Sequence, residues 1–194
     1  MNRSNMLLVA VLTALIAVPV CAQDILRDED NRVSISLITP VQIVDAHESV
    51  RGVRLNLLYG RNMDVVGFDA GVFNVTTRDF SGFGLGLINY TGGESYGVHA
   101  APLNWARNDY YGGQIGLANY TRTALLGMQV GLFNCVDVLS GFQLGLINRA
   151  DGASGVQLGV VNLTKDLEGF QVGLINVVSS REHFRFVPLL NASW

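Results

Sequence analysis

Five glutamines, Gln114, Gln129, Gln143, Gln157 and Gln171, recur every 14 or 15 residues, and Asp69 and His99 stand at the equivalent place three copies and one copy before Gln114. A primary amide donates and accepts hydrogen bonds without carrying charge. A row of amides can therefore fill a polar interior, or line a narrow uncharged passage for water or small uncharged solutes. Asp69 and His99 would sit near one end of that row, two strands and roughly 10 Å apart. They would form either a polar cluster of structural value or a proton-sensitive, ligand-contacting pair. Asp45, His47 and Glu48 fall close together and could approach a metal, but three polar residues in a loop are ordinarily solvated. Gly82, Gly84 and Gly86 precede no helix, so a phosphate cradle is not expected. With three histidines in the chain and no evident nucleophile and base set, no catalytic residue, metal or cofactor is expected. A membrane hydrolase is a minor alternative.

The elements that must position these residues are short and repeated. GFGLGLIN (82–89), GMQVGLFN (127–134), GFQLGLIN (141–148), GVQLGVVN (155–162) and GFQVGLIN (169–176) are one phrase. GFDAGVFN (67–74), GVHAAPLN (97–104), GGQIGLAN (112–119) and FRFVPLLN (184–191) are looser copies, and a fixed step of 14 or 15 residues marks a repeat architecture. Strand alternation sends Phe142, Leu144 and Leu146 one way, and Gly141, Gln143, Gly145 and Ile147 the other. Glycine at this density excludes helix. From Gly67 to Asn176, Asp69 is the one charged residue inside a copy; the other charges fall in the joints.

Two architectures fit such a period. In a parallel β-solenoid each copy is one rung, its glutamines stacked in a ladder. In an antiparallel meander each copy is one strand of about ten residues, a length that crosses a bilayer when tilted. The joints favour the meander, because no alternate position after the asparagines reads as a steady apolar row and four residues return at most about 14 Å. The expected fold is therefore all-β, a meander closed into an outer-membrane-type β-barrel of about 10–12 strands, with Asp69, His99, Gln114, Gln129, Gln143, Gln157 and Gln171 lining the lumen. The parallel solenoid, as a surface adhesion or binding module, is the alternative. Tyr90, Trp105 and Tyr120 each follow a repeat asparagine and suit an interfacial aromatic girdle. A closing strand that ends on Trp194 is similar to the terminal signature of outer-membrane barrels.

Composition points the same way. The chain has 194 residues, 49% hydrophobic and 15% charged, against roughly 25% charged in ordinary globular domains. A net charge of -3 with scattered basic residues leaves no footprint for nucleic acid. Residues 1–22 read as a secretory signal, with Arg3 before an apolar run and Val20-Cys21-Ala22 at the cleavage site. Residues 23–32 read as a lead-in and 33–194 as a single β domain, with N-terminal strands over 33–66 and repeats and closing strand over 67–194. Removal of the signal leaves Cys135 alone, so no intrachain disulfide is expected. The expected place is the outer membrane or cell surface of a Gram-negative-type bacterium, and the expected partner is the lipid bilayer. The Asn-x-Thr/Ser matches at Asn74, Asn89, Asn119, Asn162 and Asn191 read as by-products of the repeat rather than glycosylation acceptors.

The Gly-apolar-Gln-apolar-Gly-Leu-apolar-Asn unit, with SLITP (36–40) and RLNLLYG (54–60) ahead of it, resembles a family of bacterial exported surface-repeat proteins. The likeness covers residues 36–194, and Asp69, Gly84 and His99 depart from its glutamine position. It implies location and repeat architecture, and no activity.

Overall fold

A computed structural model describes residues 33–38 and 41–193. Residues 1–32, where a signal and lead-in are expected, together with Thr39, Pro40 and Trp194, lie outside the described residues. The strands are β1 (Val33–Ile38), β2 (Val41–Gln42), β3 (Val50–Asn62), β4 (Val65–Thr76), β5 (Phe80–Leu85) and β6 (Ile88–Thr91). They continue with β7 (Ser95–Ala100), β8 (Leu103–Ala106), β9 (Tyr110–Ile115), β10 (Ala118–Val130), β11 (Phe133–Val178) and β12 (Phe186–Ser193).

Neighbouring copies run parallel and in register. Gly52 lies beside Gly67, Gly67 beside Gly82, Gly82 beside Gly97, and so on through Gly112, Gly127 and Gly141. The asparagines align in the same way, from Asn74 beside Asn89 through Asn104 and Asn119 to Asn134. One copy is thus one rung of a parallel β-solenoid, and the 46-residue β11 is chain that winds through successive rungs without a break in pairing. With about 4.8 Å between strands, the stack from Gly52 to Gly169 rises about 38 Å. At the N-terminal end β1 pairs parallel with β3 and antiparallel with β2. At the other end β12 pairs antiparallel with the last rung, Gln171 opposite Asn191.

This corrects the barrel expectation, and the physical reasons are local. The ten-residue segment is not straight. It bends at Gly86–Leu87, Ala101–Pro102, Gly116–Leu117 and Gly131–Leu132, so that β5 and β6 form two sides of one rung. Beyond the bend the alternation slips: Leu146 and Ile147 both face outward, and Asn148 turns in. An inward row does follow the asparagines, at the second residue and again at the fifth or sixth. Val136 and Leu139, Ala150 and Ala153, and Ala106 and Tyr110 are buried in that way. The row escapes notice in sequence because Thr76, Thr91, Thr121 and Thr164 share it with the apolar residues. FRFVPLLN (184–191) is not a rung but part of the reversed closing strand.

Register depends on one column of glycines. Gly67, Gly82, Gly97, Gly112, Gly127, Gly141, Gly155 and Gly169 all have φ between 118° and 144°, a region open to glycine and strained for other residues. A methyl at Gly127 would strike the carbonyl of Gly112 on the rung below, and the same holds along the column. The interior is correspondingly thin: an apolar cluster including Tyr110, Leu125, Val136, Leu139 and Leu167 shares it with two polar columns.

Candidate docking surface

The residues expected to line a lumen instead fill a closed interior. Gln129 Nε2 donates to Gln114 Oε1 at 2.7 Å, and Gln143, Gln157 and Gln171 each donate to the preceding glutamine at 2.8 Å. Asn191 closes the ladder by donating to Gln171 Oε1 at 3.0 Å. A second ladder runs the opposite way, each asparagine from Asn74 to Asn162 donating to the next at 2.8–3.1 Å. Each such bond contributes about 1 kcal/mol net, and its loss in a buried row would cost more than that. The glycosylation-pattern residues Asn74, Asn89, Asn119, Asn162 and Asn191 all lie buried, the first four as members of the asparagine ladder.

Asp69 and His99 do lie in one column two rungs apart, with Gly84 between them. They do not form a pair. Asp69 takes a two-pronged bond from Arg54, at 2.8 Å to Nε and 2.6 Å to Nη2, with both side chains buried. Arg54 was not singled out in the sequence, although its place opposite Asp69 in the strand before the repeats carried the signal. His99 is enclosed by Phe80 and Tyr110, with ring centroids at 4.3 and 5.5 Å. Gly84 leaves it room, since a methyl there would come within 2.7 Å of the imidazole. Burial, helped by the charge of Arg54, lowers its pKa to about 3, so it is neutral at ordinary pH. Ser95 is on the same rung, and both are shut off from solvent. Asp45 turns back to accept a bond from the His47 backbone at 2.8 Å. Among the described residues no group of His, Cys, Asp or Glu is placed to hold a metal ion.

What faces outward is the unusual part. Two adjoining faces are apolar along the stack. One carries Phe68, Phe83, Met128 and Phe170 beside Leu55, Leu85, Ile115, Leu144 and Val172. The other carries Phe73, Phe133, Ile147 and Ile175. They meet at a ridge of Leu57, Leu87, Leu117, Leu132, Leu146 and Leu174, where Leu174 is 63% exposed. Contiguous apolar surface beyond roughly a few hundred Å² is rare on monomeric soluble proteins and marks an interaction surface, and here the apolar residues recur on every rung from Leu55 to Ile175. At its N-terminal end the wall holds an open groove of about 480 Å³ lined by Ile35, Leu37, Leu55, Leu57 and Ala70.

Charges gather on the third edge, built from the joints. There Asp64, Asp79 and Asp109 each accept a backbone N–H from the next rung, at 3.1, 2.9 and 3.1 Å. Aromatic residues stand on both borders between edge and apolar wall. On one side Tyr96 and Tyr111 stack at 4.7 Å; Tyr96 donates to Glu94 at 2.6 Å, which raises its pKa to about 12. On the other, Trp105 meets Tyr120 edge-on at 5.2 Å, with Tyr90 one rung below. Tyr90, Trp105 and Tyr120 thus form one row on successive rungs of a solenoid, not a ring around a barrel.

No protein-family model matches the chain, and no curated protein or solved structure was found to match it. The class rests on the fold alone: a parallel β-solenoid repeat protein with a polar, ladder-filled interior.

Proposed function

We propose that the chain is a surface-exposed β-solenoid that works as a binding module, docking through its two apolar outer faces. The observation that carries this reading is the sorting of the outside: large aliphatic and aromatic side chains cover two faces rung after rung, while charges are confined to the joint edge. The interior ladders support a scaffolding role, since they hold the wall without drawing on those side chains. The exported location implied by residues 1–22 agrees with a surface role, and we propose no catalytic centre.

The test uses side chains that contribute nothing to the interior. In Leu117→Gln/Leu146→Gln/Leu174→Gln the ridge becomes polar while the ladders are untouched. The parent chain should adsorb to apolar resin and self-associate in the absence of amphiphile. The variant should remain a monomer with an unchanged unfolding midpoint. A parent chain that is monomeric in plain buffer and ignores apolar surfaces would overturn the proposal.

A further inference from the structure

The two apolar faces meet at a ridge, so a rigid partner laid against one leaves the other bare. A fluid apolar phase covers both at once. The borders carry the residues that mark such a boundary, since Tyr and Trp are enriched where hydrocarbon gives way to water. Between Tyr90, Trp105 and Tyr120 on one side and Arg107 and Arg122 on the other runs an open groove of about 390 Å³. Arg107 and Arg122 are equivalent residues on successive rungs and both are exposed. Unlike Arg54, Arg78, Arg149 and Lys165, neither has a carboxylate partner among the described residues. Asp109, two residues along from Arg107, is engaged by the backbone N–H of Ala124 on the next rung, and Asp137, which continues the column of Arg107 and Arg122, makes no ion pair with Arg122.

From this juxtaposition we propose that the solenoid lies on a lipid bilayer with its leucine ridge in the acyl region, and that Arg107 and Arg122, beside the Tyr90–Trp105–Tyr120 row, bind the phosphate of anionic headgroups. The inference deepens the docking role proposed above and rests on it. Guanidinium suits phosphate because its planar N–H groups match two oxygens at once. The aromatic rings set the depth at which that contact is made. The ridge supplies attraction to any bilayer, and the arginine pair adds preference for negative lipid, about 1 kcal/mol or roughly fivefold per arginine near a charged surface.

Flotation of the full chain with vesicles separates these contributions. Vesicles of phosphatidylcholine alone are compared with vesicles in which a third of the lipid is phosphatidylglycerol. The parent chain should float with both and bind the anionic vesicles at least tenfold more tightly. Arg107→Gln/Arg122→Gln, exposed and unpaired in the parent, should lose that preference and keep its affinity for phosphatidylcholine. In a Trp194→Phe background, Trp105 emission should shift to the blue on binding and be quenched by lipids brominated near the headgroup. Equal binding of both vesicle types, unchanged in the arginine variant, would overturn the headgroup site and leave apolar docking standing. Failure to float, with a detergent-sensitive dimer in buffer, would overturn the bilayer as occupant and assign the wall to a second copy. Failure to float by a chain monomeric in buffer would overturn both readings.

Discussion

The interior column changes character along its length. From Gln114 to Gln171 every rung presents the same amide, each after the first bonded to the one before it and the last closed by Asn191. Nearer the N-terminus the same column reads Arg54, Asp69, Gly84, His99. The buried polar atoms without a protein partner follow this division: Ser34, Asn56, Thr91, Ser95, His99 and Gln114 contribute one each, and beyond Gln114 only Thr123 does among the described residues. An amide carries its own complement, so a stack of one residue type satisfies itself at any height. A mixed column needs each neighbour chosen for the next. The Arg54–Asp69 pair is satisfied, with further bonds from Arg54 to Asn62 at 3.3 Å and to the Val75 carbonyl at 3.0 Å. The junction at His99 and Gln114 is not.

The sharpest way to break this contrast is to remove one charge from the N-terminal rungs. Asp69→Leu strands a buried guanidinium and should cost about 3–5 kcal/mol in denaturant unfolding, most of it recovered in Arg54→Met/Asp69→Leu. A double variant no more stable than the single would show that the pair is not what balances those rungs. The converse change puts a charge where the ladder has none. Gln143→Glu sets a carboxylate against the Gln129 carbonyl oxygen and should cost about 3 kcal/mol at neutral pH. Burial raises the carboxyl pKa, so stability should return as pH falls and the protonated group donates as the amide did. A pH-independent loss would point to shape rather than charge.

The smallest expected effect is a gain. His99→Gln carries the ladder one rung further and should add about 1 kcal/mol. It should also change the response to acid. His99 has a folded pKa of about 3 against an ordinary 6.5, so the unfolded chain takes up its proton first. Its contribution is complete above pH 6.5 and falls away as pH drops towards 3. Stability profiles of parent and variant should run parallel above pH 6.5 and diverge below it; parallel profiles throughout would show that His99 meets solvent.

Much of this was legible in the residues. The period, the inward glutamines, the outward Phe142, Leu144 and Leu146, the charge-bearing joints and the recurrence of Tyr90, Trp105 and Tyr120 after the asparagines all follow from spacing and alternation, whereas the inward turn of the asparagines does not, because alternation places them with the outward strip. Strand direction was misread because Thr76, Thr91, Thr121 and Thr164 disguise the return row, and because the bend before Leu146 breaks the alternation that a straight strand would keep. The sameness of the copies was the better guide, since like amides stack well only when neighbouring rungs run parallel and in register. The arginine groove was half visible. Tyr90, Trp105 and Tyr120 stand out by their place after the asparagines, whereas the unpaired state of Arg107 and Arg122 depends on which carboxylates the turns engage.

Strand direction is also the claim on which everything else depends, and engineered disulfides read it directly. In a Cys135→Ser background, Met128 and Phe142 are register partners on adjacent parallel rungs, close enough for a disulfide once both are cysteine. An antiparallel hairpin would separate them by about 20 Å and bring Met128 opposite Arg149 instead. Mild oxidation should link Met128→Cys/Phe142→Cys rapidly and leave Met128→Cys/Arg149→Cys as free thiols. The reverse outcome would contradict the solenoid.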